Sequence, residues 1–124
     1  MILAPISLGE LVDKITILEI KMQHVTNTEQ RHNIRVELEE LNLIYFPLQD
    51  RHLDNFHIEL RDVNEKLWAH QDVITKLIRE ENLDKLAFAT VCQHAHEANA
   101  HRAEIKKQIN EQFNSEIIEE KIYD

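Results

Sequence analysis

Apolar residues recur along this chain at alternating spacings of three and four, in several separate blocks. From Ser7 to Val25, the residues Leu8, Leu11, Ile15, Leu18, Met22 and Val25 form one seam of a helix. Ser7 followed by Glu10 is a capping-box pattern, with Ile6 and Leu11 at the staple positions on either side. The opposite side is not uniformly polar. At about 100° per residue, Ile17 and Ile20 fall on the back of the helix, beside Asp13 and His24. A helix apolar on two sides is covered on two sides, by its own chain or by a second subunit. The rest of the sequence is organised around this stretch.

The residues before it, Met1 to Ile6, are apolar, and Pro5 holds Ala4 extended. An extended arm packed onto the body is expected there. A second helix is expected from about Thr28 to Tyr45, with Ile34, Leu38, Leu41 and Tyr45 as a narrow seam. Pro47 removes a backbone donor and restricts Phe46, so the helix breaks there. A third, long helix runs from Leu48 or Asp50 to Glu81, with Leu53, Phe56, Leu60, Val63, Leu67, Ile74 and Ile78 on one side. Asn82 punctuates. A fourth runs from Asp84 to Phe113 along Ala87, Phe88, Val91, Ala95, Ala98, Ile105 and Ile109. In the tail, Ile117, Ile118, Ile122 and Tyr123 suggest a segment that docks.

Composition narrows the class. One Gly and two Pro in 124 residues are too few for the turns of a β-rich fold. The expectation is a single all-α domain over residues 1–124, an antiparallel bundle of three to four helices. Two long helices form its central hairpin, with the first helix packed across it. A net charge of −9 opposes nonspecific nucleic-acid binding and docking on anionic lipid. No apolar run is long enough to span a membrane, and MILAPISLGE lacks the pattern of a signal peptide. Cys92 is the single cysteine, so no intramolecular disulfide forms. The default compartment is the cytoplasm.

Three segments, GELVDKITILEIK (9–21), VNEKLW (63–68) and the ending from NAHRAEIKKQIN to EEKIY (99–123), resemble a bacterial family of short all-helical proteins, a domain of unknown function. The resemblance implies no activity, catalytic residue or cofactor. An association of some members with surface-polysaccharide enzymes is its one functional hint, and no residue of this chain reports it.

Candidate chemistry lies in polar residues placed inside apolar seams. Glu19 falls in the arc of Ile15 and Leu18, Asn64 and Gln71 in that of Leu60 and Leu67, and Arg102 between Ala98 and Ile109. Burying unpaired charge is costly, so a Glu19–Arg102 pair is expected, with Asn64, Gln71 and Asn99 completing its hydrogen bonds. Such a network fixes helix register, or it floors a binding site ringed by Trp68, Lys14 and Lys106. His94, Glu97 and His101, spaced three and four apart, are a weaker metal-site alternative. Cys92 and His94, two residues apart on a helix, do not face each other, and Cys92 is expected to be an inert thiol. There is no P-loop, G-x-S-x-G or dinucleotide fingerprint, and no cofactor is expected. The sequence leaves open whether the chain is an enzyme. Its leading reading is a non-enzymatic interaction or adaptor protein that forms a homo-oligomer or takes a protein partner. The alternative is a small-molecule or nucleotide-sugar accessory protein with a polar site between helices.

Overall fold

A computed structural model describes residues 1–122 of the chain. It contains helices α1 (Leu8–His24), α2 (Thr28–Tyr45), α3 (Arg51–Arg79) and α4 (Lys85–Gln112). Each helix starts on a side-chain oxygen that accepts from a backbone N–H three residues on: Ser7 from Glu10, Asn27 from Gln30, Asp50 from Leu53, Asp84 from Ala87. The break at Pro47 is a short 3-10 turn, Phe46–Leu48. Helix α3 ends with Glu80 as its C-cap, and the residue that caps the start of α4 is Asp84, two residues beyond Asn82. Only half of the expected capping box forms: Ser7 Oγ accepts from Glu10 N at 3.1 Å, while the Glu10 carboxylate turns to Lys106 at 2.6 Å.

The architecture is an all-α bundle in which α3 and α4 pair most extensively and make the central hairpin. The ring contacts Phe56–Phe113 and His70–His94 show that they run antiparallel. Helix α1 lies in the groove of this hairpin and touches all three other helices. Helix α2 packs along α1, and its last residue, Tyr45, reaches α3 at His57. The core gathers Leu11, Val12 and Ile15 of α1 with Tyr45, Leu53, Leu60, Val63, Ile105 and Ile109, all buried.

The back of α1 is enclosed, as is its seam. Ile20 is 1% exposed and Ile17 half-buried, and both face residues of α3 and α4. Of the two covers expected for this strip, its own chain or a second subunit, the chain supplies it through the hairpin. The arm departs from expectation. Residues 1–6 form no regular secondary structure and are not packed down: Ile2 is 94% and Leu3 83% exposed. After α4, Asn114 adopts φ 51°, a left-handed conformation that Asn tolerates at a helix end. This turns Ser115 towards α1, where its Oγ accepts from Leu8 N at 3.1 Å and donates to Ile117 O. Glu119 then reaches Lys106 at 3.3 Å. The tail is therefore tied by polar contacts, while Ile117, Ile118 and Ile122 stay exposed. Tyr123, expected to dock with them, lies outside the described residues.

Gly9 sets the distance between α1 and α4. A Cβ there would lie 2.6 Å from the Lys106 carbonyl oxygen and 3.0 Å from Asn110 Oδ1. Helix propensity alone would favour Ala over Gly by up to about 1 kcal/mol, but overpacking against backbone costs about 1–3 kcal/mol. Gly9→Ala should therefore destabilise the fold by about 1–2 kcal/mol in urea denaturation. A stabilised variant would show that α1 can retreat from α4 at no cost.

Candidate functional site

The first amides of α1 are satisfied from three directions. Leu8 N donates to Ser115 Oγ, Gly9 N to Asn110 Oδ1 at 2.7 Å, and Glu10 N to Ser7 Oγ. The helix start is thus closed by the chain's own side chains. Asn110 turns its oxygen to Gly9 and leaves its buried Nδ2 without a partner among the described residues.

One turn further on, Asp13 is 0% exposed and forms the centre of a buried polar cluster. Arg102 of α4 grips it with two prongs, Nε on Oδ1 at 2.9 Å and Nη2 on Oδ2. Asn64 of α3 donates to Oδ1 at 2.9 Å, and the Lys106 ammonium lies 3.8 Å from Oδ2. Thr16 donates to the Asp13 carbonyl at 2.7 Å and accepts from Asn64 at 2.9 Å. Lys106, itself buried, continues the cluster to Glu10 and Glu119. Glu119 is held below the ordinary carboxylate range chiefly by a hydrogen bond from Lys121; burial opposes this, and Lys106 adds to the lowering.

The expected Glu19–Arg102 pair does not form. Glu19, six residues beyond Asp13, points to another side of α1 and meets His57 Nε2 at 2.6 Å and Arg61 at 3.6 Å, both on α3. His57 Nδ1 lies 3.1 Å from the Tyr45 hydroxyl, so a neutral His57 donates to Glu19 and accepts from Tyr45. This Glu19–His57–Tyr45 chain joins α1, α3 and the end of α2. Burial, then the charges of Asp54, Glu19 and Asp50, push the Tyr45 phenol up to about 12.

The other expected site residues divide. Asn64, Trp68, Gln71, Asn99 and Arg102 line one cleft of about 310 Å³ between α1 and the hairpin. Trp68 stacks on His24 there, with ring centroids 4.8 Å apart. Gln71 is exposed and only weakly bonded, 3.5 Å from Thr75, so it does not join the Asp13 cluster. Lys106 lies below the cleft in the ion-pair cluster. Lys14 is exposed, 4.0 Å from Glu10, and outside the cleft. Among the described residues no three His, Cys, Asp or Glu side chains converge as metal ligands. His94 and His101 are exposed on α4, and Glu97 accepts from Gln93 at 3.2 Å, so the His94–Glu97–His101 alternative is set aside. Cys92 is a half-buried free thiol. The residues that sequence reasoning missed are Asp13, Thr16 and His57. The signal for Asp13 was present: it shares the back of α1 with Ile17 and Ile20.

Fold and cluster define a small helical bundle whose central helix is locked to a hairpin by a buried carboxylate. Residues 2–124 match the family of unknown function DUF6165, and the chain belongs to that family. No curated protein and no solved structure matches it. No helix among the described residues is long and apolar enough to cross a membrane.

Two outcomes follow from this geometry. In a double-mutant cycle, Asp13→Asn and Arg102→Met should each cost about 3 kcal/mol, with the pair costing well below their sum. Glu19→Gln and Arg102→Met should add, because they share no partner among the described residues. Coupling of Arg102 to Glu19 rather than Asp13 in urea denaturation would contradict the arrangement. For Tyr45, the folded phenol ionises later than an unfolded one at 10.0. Its contribution is intact below pH 10 and lost as pH rises towards 12, on the order of 2–3 kcal/mol in all. Alkaline denaturation profiles should show this loss, and Tyr45→Phe should remove that component.

Proposed function

We propose that the protein is a non-enzymatic interaction module that self-associates through the arm end of the bundle. The observation that carries this reading is the apolar surface there. Ile2 and Leu3 of the arm stand beside Leu43 (71% exposed), Ile44 (56%) and Leu48 (50%), around a groove of about 830 Å³. Met1, Ile6 and Ile117 line the same groove and are exposed as well, so the apolar residues here form a cluster of the kind that marks interaction sites. The hairpin tip exposes a smaller set, Ile78, Leu83 and Leu86.

A second copy of this chain is the occupant that fits. An exposed apolar arm and an apolar groove sit side by side, so a two-fold axis places the arm of each copy in the groove of the other. On a chain of net charge −9, the charged residues lining the groove are Glu40 and Glu116 alone. Two copies can therefore approach there with little like-charge repulsion. The competing reading, a small-molecule accessory protein, draws its support from the cleft beside Trp68.

Sedimentation velocity over a dilution series tests the proposal. A dimer is expected, and Leu3→Glu or Ile44→Glu should shift it to monomer while the helical circular-dichroism spectrum is retained, since both side chains are exposed. A monomer at every concentration would overturn it. So would dissociation by Leu86→Glu at the hairpin tip in place of the arm-end variants.

A further inference from the structure

The cleft between α1 and the hairpin is distinct from the arm end, and one of its polar groups is already oriented. The Asp13 carboxylate can only accept, and the Thr16 hydroxyl has given its proton to the Asp13 carbonyl. Both therefore demand donors, and the two N–H bonds of Asn64 Nδ2 supply them. The amide cannot flip without losing both bonds. Its Oδ1 has no partner among the described residues and is not among the enclosed orphan atoms, so it opens on the cleft that Asn64 lines. Asn64 is only 5% exposed, which makes this acceptor rigid as well as oriented. Gln71 stands one heptad further along α3 at the same cleft and offers a second, mobile amide. Trp68, Ile17, Ile74 and Ala95 supply apolar walls. The one ionisable lining residue, Arg102, is matched by Asp13, so the cleft presents little net charge.

We infer that this cleft binds a small uncharged molecule, with an apolar body of about one ring and an N–H or O–H group that donates to Asn64 Oδ1. A volume of about 310 Å³ is at the small end of ligand pockets. A carboxylate ligand is disfavoured, because its oxygens would face the Asn64 oxygen.

Benzamide and benzoate, equal in shape and different in charge, serve as probes. In amide and indole NMR titrations of the full chain, benzamide should shift Trp68 and the residues around Asn64, Ile74 and Ala95 saturably, with a Kd on the order of a millimolar for so small a molecule. Benzoate should bind at least threefold more weakly. Ala95→Leu, which fills the cleft, should abolish the shifts. Gln71→Ala, an exposed change that leaves folding intact, should weaken benzamide about two- to tenfold. The inference is overturned if benzoate binds as tightly as benzamide, if the shifts map to the arm-end groove, or if neither probe binds. It is also overturned if both variants bind as the parent does. Dimer-breaking variants at Ile44 should leave the titration unchanged, which separates this result from the fate of the self-association reading.

Discussion

The carboxylate of Asp13 is the constraint on which the bundle depends. It sits on the central helix and is completely enclosed, so it must be matched by donors from outside its own helix. Those donors come from α3 through Asn64 and from α4 through Arg102, with Lys106 nearby. An apolar residue in its place could slide along the hairpin groove at modest cost. A buried carboxylate held by a two-pronged guanidinium cannot, because a shift of one turn would strand both charges. The height of α1 along the hairpin is therefore set by polar geometry, and the apolar residues around it supply the bulk of the burial.

Close approach and polar matching depend on each other here. Arg102, Lys106 and Asn110 lie at spacings of four along α4 and meet α1 at Asp13, Glu10 and Gly9. Gly9 lets the backbones come near enough for Asn110 to reach its amide. The tail closes the same corner, with Ser115 on Leu8 and Glu119 on Lys106. The second polar chain, Glu19–His57–Tyr45, does for α2 what the Asp13 cluster does for the hairpin. It ties the end of a helix that packs along α1 alone to α3. With both sides of α1 engaged by its own chain, the apolar surface left over gathers at the arm, and the polar surface left over opens in the cleft beside Trp68.

The four helices were legible in the chain itself. Periodic apolar positions, the Ser7 cap before the first helix and one proline between the second and third are local signals, and local backbone chemistry obeys them. The family resemblance carried by GELVDKITILEIK was legible for the same reason. So was the crowding of polar residues into apolar seams, and with it the need for a buried pair involving Arg102. Which acid answers Arg102 was not. A wheel of residues at about 100° gives the direction of a side chain but neither the height nor the identity of the helix opposite. Asp13 and Glu19 differ by six residues, about 9 Å along the axis, and only the seating of α1 in the hairpin groove decides between them. The arm shows the same limit from the other side. Its apolar character is written in Met1 to Leu3, but burial is a property of neighbours. Tertiary packing gave the hairpin to the back of α1 and left the arm in solvent.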